Sequence, residues 1–360
     1  MSRRSLVGDK MATMSVNTPT KTRARTRTKT VEVSAGPSGV PGSLEQLLEA
    51  YRTAPERMDA DGHAPLKDYE GRFVEADDRM VFLRSTSDAG TTGKRQAVFV
   101  HGLGGSARNW TDLMYLLEPI VGGIAPDLAG FGRSPMTADS DYSQAAHART
   151  VIRLIEDRCD GPVDLFGNSM GGAISVRIAA QRPDLVRSLI LISPALPDLR
   201  PRLSVAPLIA MTAPVLADLA ARVVDTQDAE AAIDRMYDLC YLDPSKVHQG
   251  RREDQIEETR WRMARPNAAE PLRQSARGLG RAFIPGTSDY LWSMAEKIEV
   301  PTLAIYGTHD KLVDARLANR TARTIPDVRV TTLKTGHVAQ LEDPVATARL
   351  VLAMWAEDHI

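Results

Sequence analysis

The chain has 360 residues, 43% hydrophobic and 25% charged, and its 45 basic and 46 acidic side chains leave a formal net charge of −1. That balance excludes bulk attraction to nucleic acid or to an acidic membrane surface, and the length suits one α/β core carrying an insertion. Two cysteines, Cys159 and Cys240, are too few for a disulfide framework or a structural zinc site, so a reducing, cytoplasmic setting is expected.

The charge is unevenly spread. Arg3, Arg4, Lys10, Lys21, Arg23, Arg25, Arg27 and Lys29 crowd the N-terminal segment against Asp9 alone. So little apolar surface predicts a disordered tail. The tail has neither the apolar core of a secretory signal nor, in ARTRTKT, the apolar face of a mitochondrial presequence. The Gly/Pro/Ser stretch VSAGPSGVPGS closes a tail and linker over residues 1–42, and SLEQLLEAYRTA opens an amphipathic helix.

Folded structure is then expected in chain order. GRFVEADDRMVFLRS reads as a hairpin turning at Asp77 and Asp78, and QAVFVHG as a short apolar strand ending in glycine. The helix ARNWTDLMYLLEPI, the strand GGIAPD and the helix SQAAHARTVIRLIEDR follow, the last with Ile152, Leu154 and Ile155 on one side. PVDLFG, MGGAISVRIAAQRP and SLILISP repeat the strand, helix, strand order. Such alternation defines βαβ units on a mostly parallel sheet. It stops near Ala195 and resumes with VPTLAIYG, DARLANRTARTI, VRVTTLK and a last helix from Pro344. The expected organisation is a core over residues 43–194, a helical cap over 195–297, and a second core part over 298–360. The least charged run, Leu203 to Ala217, is shorter than the ~18 residues of a membrane span and is broken by Pro207 and Pro214, so no stable membrane insertion is expected.

The chemistry centres on LFGNSMGG, where Ser169 stands between Gly167 and Gly171 at a strand-to-helix junction, a G-x-S-x-G pattern. Such an elbow lifts the hydroxyl to the carboxyl edge of the sheet, and its small flanking residues let strand and helix pass closely. A serine needs a base to take its proton and an acid to orient that base. Asp310 in IYGTHDKLVD and His337 in LKTGHVAQLEDP each follow an apolar strand, so all three meet on one edge, with His337 as base and Asp310 as its orienting acid. Asp314 competes for the acid's role but precedes ARLANRTART, where a helix N-cap is the expected job. His309 should point away, and His63, His147, His248 and His359 are placed on the surface. The backbone N–H of Leu103, in FVHGLGGSARNW, pairs with that of Met170 as the oxyanion donors; His101, Gly102 and Asn168 support the loops. Asp127, Gly130 and Gly132 shape a rim turn in APDLAGFGRS. The glycine-rich loop lacks the lysine of a phosphate-binding motif and the acidic partner of a dinucleotide site. No metal-ligand cluster appears either, so no cofactor and no metal are expected.

HGLGGSARNW, PDLAGFGRS, GNSMGG, YGTHDKLV and TGHVAQLEDP, in that order across most of residues 70 to 360, resemble the α/β-hydrolase superfamily. The resemblance implies an eight-stranded, mostly parallel sheet flanked by helices, with the cap between strands six and seven. It also implies a serine hydrolase with Ser169, Asp310 and His337 as its triad. Serine rather than aspartate at the nucleophile sets aside the dehalogenase and epoxide-hydrolase branch. The motifs look like those of monoacylglycerol-lipase-type esterases and, less closely, of meta-cleavage-product hydrolases. The latter usually carry a pattern like HWAQWE, where this chain has Val338 and Leu341. The expected activity is cleavage of small-molecule esters with apolar, medium-chain acyl groups. The alternatives are hydrolysis of a carbon–carbon bond in a 2-hydroxy-6-oxo dienoate, or a hydrolase fold that only binds. LSVAPLIAMTAPVLA suits the wall of an acyl pocket, with Leu208, Met211 and Val338 as lining residues. The charged QGRREDQIEETRWRMAR is expected to face water.

Overall fold

The structure, a computed structural model, describes residues 44–59, 63–65, 69–86, 93–198, 200, 202, 204 and 228–358. The basic tail, the run Leu203 to Ala217 apart from Ser204 but including Leu208 and Met211, and His359 lie outside them.

The first two strands, β1 (Gly71–Ala76) and β2 (Arg79–Ser85), form the expected hairpin. Asp77 and Asp78 turn it with φ of 53° and 55°, the left-handed backbone that a tight two-residue turn requires and that aspartate tolerates. β3 (Arg95–Val100), β4 (Val121–Pro126), β5 (Val163–Asn168), β6 (Val186–Ile192), β7 (Thr302–Gly307) and β8 (Val328–Leu333) complete a single sheet. Its order is β1-β2-β4-β3-β5-β6-β7-β8. β2 runs antiparallel to both β1 and β4, and every other pair is parallel.

Central parallel strands are covered on both faces and must be apolar on both. Val98, Leu165, Leu189 and Leu191 face one layer, which contains α3 (Gln144–Arg158) and α4 (Met170–Gln181). Phe99, Phe166, Ile190 and Ile192 face the other, built from α1 (Leu44–Thr53), α2 (Thr111–Leu117) and the C-terminal helix Pro344–Asp358. The period-two alternation of side chains thus divides each apolar run between two cores.

Between β6 and β7 come α5 (Ala229–Cys240), α6 (Gln249–Met263), α7 (Glu270–Ala282) and α8 (Leu291–Ala295). Leu291, Trp292, Met294 and Ala295 belong to the same buried cluster as α4, and Trp292 Nε1 donates to the Pro197 carbonyl at 2.8 Å. The last turns assigned to the cap are therefore packed as core. Two further expectations are corrected. His147 is fully buried rather than on the surface, because α7 covers that face of α3 and Ser275 Oγ lies 3.2 Å from its Nε2. The charged helix α6 does not simply face water. Its Arg251 pairs with Asp112, its Asp254 with Arg108 at 2.9 Å, and Ile256 and Thr259 are buried. Alternating charge on a helix marks polar surroundings, and here those are the charged rim of the core.

Candidate active site

Ser169 stands between β5 and α4 with φ 54° and ψ −117°, a backbone region that costs a non-glycine residue about 1–3 kcal/mol. Three hydrogen bonds hold it there. Its N–H donates to the Ile192 carbonyl at 3.1 Å, and its carbonyl accepts from Ala173 and Ala195 at 3.1 and 2.9 Å. The turn works only because α4 crosses β3 closely: a Cβ on Gly171 would sit 2.1 Å from the Val100 carbonyl oxygen.

Asp310 and His337 occupy the loops after β7 and β8. His337 Nδ1 lies 2.8 Å from Asp310 Oδ2, and both residues are buried. Asp310 Oδ1 accepts from the Leu312 and Val313 N–H groups at 2.7 and 2.9 Å. Burial opposes the carboxylate's charge, but His337 and those two N–H groups outweigh it and hold the carboxyl below its ordinary range. An ionised Asp310 keeps the proton of His337 on Nδ1 and leaves Nε2 with its lone pair.

Asn168 joins these loops to the elbow. Its buried amide donates to the Ile192 carbonyl at 3.0 Å and to the His337 carbonyl at 3.1 Å, so the residue before Ser169 is tied to the histidine itself. On the other side, a Cβ on Gly102 would lie 3.1 Å from Ser169 Cβ, which places the HGLGG loop against the serine. His101 braces that loop. The Leu128 N–H donates to its Nε2 at 2.9 Å, so Nδ1 carries the proton and donates to the Gly102 carbonyl at 2.7 Å. Burial pulls its pKa down to about 4, which keeps the ring neutral. Met170 begins α4, whose first N–H groups have no acceptor within the helix.

The other sequence candidates fall elsewhere. Asp314 Oδ1 accepts from the Arg316 N–H at 3.0 Å, closing a turn ahead of α9 (Leu317–Thr324) rather than capping the helix itself. His309 is exposed and turns its Nδ1 to Thr308 Oγ1. Val338 is buried in a cluster with Tyr237 and Tyr241 of the insertion. Asp127 does more than shape its turn: it accepts from the N–H groups of Ala107 and Arg133, both at 2.7 Å, and so fastens the HGLGG loop to the turn after β4.

Contacts from the insertion were not foreseen. The Cys240 carbonyl accepts the His337 N–H at 2.6 Å. Glu342, in α10 (Ala339–Glu342), accepts from the N–H groups of Gly336 and Leu242. Only the acidic residue five places after His337 hints at this, and nothing local names its partners. A cavity of about 200 Å³ opens nearby, lined by Asp112, His248, Arg251 and Thr335 among others, and contains none of Ser169, Asp310 or His337.

The sheet order and its flanking helices are those of the alpha/beta hydrolase fold. The family model described as the alpha/beta hydrolase fold matches residues 98–344, and the chain belongs to that family. Lipase LipV of Mycobacterium tuberculosis is 38% identical over 29% of this chain and 40% of its own length, so that match spans well under half of the relative. 2-Hydroxymuconate semialdehyde hydrolase of Pseudomonas putida is 27% identical over 65% of this chain and 76% of its own. Among solved structures, haloalkane dehalogenase DbeA from Bradyrhizobium elkani superposes with a TM-score of 0.66 at 23% identity, covering 81% of this chain and 98% of that one. That likeness speaks to the fold alone. Among the described residues, no helix is long and apolar enough to cross a membrane.

Proposed function

We propose that the protein is a serine esterase acting on carboxylic esters of apolar, medium-chain acids. Ser169 Oγ attacks the ester carbonyl while His337 Nε2 takes its proton. The Leu103 and Met170 N–H groups stabilise the oxyanion, and Asp310 stabilises the imidazolium. Collapse of the tetrahedral intermediate releases the alcohol, which receives the proton from His337, and leaves an acyl-enzyme. Water then attacks with His337 as base, freeing the acid and restoring Ser169. Leu208, Met211 and Val338 are the proposed acyl-pocket residues.

The observation that carries this reading is the Asn168 amide, which ties the nucleophile's elbow to the carbonyl of a histidine already bonded to a buried carboxylate. A second reading, carbon–carbon hydrolysis of a 2-hydroxy-6-oxo dienoate, is favoured by the likeness to 2-hydroxymuconate semialdehyde hydrolase, which is matched over 76% of its own length. A panel of p-nitrophenyl esters separates the two. Each buried CH₂ contributes up to about 0.8 kcal/mol, so kcat/KM should climb several-fold per pair of carbons and then fall. Absence of length dependence together with rapid turnover of the dienoate would reverse the choice.

A further inference from the structure

The oxyanion loop is overlaid by the end of α6 and the turn after it, which carry two guanidinium groups that have no carboxylate partner among the described residues. Arg262 Nη1 donates to the Gly104 carbonyl at 3.1 Å. Arg265 Nη1 and Nη2 reach the carbonyls of Ser134 at 2.8 Å, Arg133 at 3.3 Å and Gly132 at 3.4 Å, while its guanidinium stacks on Trp261 at 3.5 Å. Neither forms an ion pair among the described residues. The acid whose field reaches both is Glu258, but its carboxylate is committed to Ser106 Oγ at 3.2 Å and to Arg108 at 3.9 Å. Asp127, which also acts on Arg265, is pushed up by burial and by Glu258, and its two oxygens are committed to the N–H groups of Ala107 and Arg133. Burial pulls Arg262 below the ordinary arginine value, and Arg265 is lowered by burial and then by Arg262. Two cations therefore share a desolvated corner whose carboxylates are otherwise engaged. Arg262 offers five N–H donors and, among the described residues, uses one of them.

We propose that this corner is a subsite for a carboxylate at the far end of the acyl chain, gripped by Arg262 with Arg265 behind it. The inference rests on the serine-esterase chemistry above and replaces its apolar, medium-chain acyl group with half-esters of short dicarboxylic acids. Geometry sets the length. The proposed oxyanion donor is the Leu103 N–H, and the carbonyl held by Arg262 belongs to the next residue, Gly104. Two residues of backbone span at most about 7 Å. A chain running from the scissile carbonyl past Gly104 to Arg262 is therefore short, with an upper limit of about six carbons. Leu272 Cδ1, 3.7 Å from where a Gly104 Cβ would be, gives the intervening methylenes an apolar wall. Guanidinium is the side chain best matched to a carboxylate, because its planar fork can donate two parallel hydrogen bonds.

The test compares kcat/KM for monoethyl glutarate with that for ethyl hexanoate, a neutral ester of similar length. The measure is the ratio of the two in wild type, Arg262→Met and Arg262→Lys. The ratio should fall roughly 10- to 100-fold in Arg262→Met, the range of a charged hydrogen bond, and Arg262→Lys should recover part of it. In the wild type, rising ionic strength should raise KM for the half-ester and leave that for the neutral ester unmoved, which tests the subsite even if a variant does not fold. A ratio indifferent both to Arg262→Met and to salt overturns the proposal. If neither ester is turned over, the esterase reading fails instead, and calorimetry with glutarate itself decides the subsite. Binding to wild type that weakens about tenfold or more in Arg262→Met supports it; equal binding to both, or none, refutes it.

Discussion

Asp310→Asn isolates what the buried acid contributes, because the structure dictates how the new amide must sit. Two N–H groups, of Leu312 and Val313, point at Oδ1 from 2.7 and 2.9 Å. An amide NH₂ in that place would confront both donors, so the asparagine carbonyl takes it and the NH₂ turns to His337 Nδ1, 2.8 Å from the present Oδ2. Nδ1 must then accept, and the ring proton moves to Nε2. Nε2 can no longer take a proton from Ser169. The loss in kcat should be about 10⁴-fold, as for the buried acid of other triads. The fold should survive, since the two backbone donors stay satisfied; replacing a charged hydrogen bond by a neutral one removes about 1–2 kcal/mol. The assay is kcat on p-nitrophenyl butyrate, with a melting curve beside it to separate the two effects. A loss below tenfold with the melting point preserved would refute the assignment of Asp310 as the acid.

Ser169→Gly removes the nucleophile and releases the strain of its φ 54° backbone, so fluorophosphonate labelling and nearly all turnover should vanish while stability rises by about 1 kcal/mol; surviving label would place the nucleophile elsewhere. Gly102→Ala sets a methyl 3.1 Å from Ser169 Cβ and 3.3 Å from Asn168 Oδ1, displacing the loop from the serine. Its kcat should fall more than tenfold, the order of losing an oxyanion donor, with KM little changed, and an equal rise in KM would argue for a binding defect. Burial pulls His147 down to about 3 from an ordinary 6.5. Below pH 6.5 the unfolded chain therefore takes a proton that the folded chain refuses, and stability is lost as pH falls through that window. The loss from this residue should approach about 2 kcal/mol at pH 5. In His147→Gln, melting temperatures at pH 7 and pH 5 should converge relative to wild type, and an unchanged difference would remove His147 from the account.

The layout of the core was legible because strands run straight into the residues placed at the sheet's carboxyl edge: the buried central runs VDLFGN before Ser169 and TLAIYG before Asp310, and the outermost strand VRVTTL before His337. A parallel sheet brings the carboxyl ends of its strands to one edge, so strand order and motif order together locate the cluster. What stayed hidden depends on partners far along the chain. His147 lies in a helix whose composition permits exposure, and only Ser275, 128 residues later, shows which face is covered. Charges on α6 look solvated in isolation, because a charge pattern records polarity and not whether water or a protein ion supplies it. The start of α9 slipped past Asp314 for a local reason: the aspartate's side chain satisfies an N–H within its own turn, and the helix begins at Leu317.

The insertion's charged contacts bear on catalysis more than on stability. Exposed ion pairs contribute about 0–1 kcal/mol each, so the α6 contacts with solvent access, such as Arg252 with Asp234, add little to folding. The contacts that reach the site are of another kind, because they end on backbone groups of the loops that do the chemistry. Arg262 holds the carbonyl of Gly104, one residue past the proposed oxyanion donor. The Cys240 carbonyl holds the N–H of His337, and Glu342 bridges the loop before the histidine to Leu242. Moving the insertion would therefore shift the oxyanion loop and the base together, and it would reach the loop of Asp310 as well, where Lys311 Nζ donates to the Asp238 carbonyl of α5. Under the proposed reaction, a substrate settling against the insertion would act on the same backbone that aligns its own reaction, which would couple substrate choice to kcat as well as to KM.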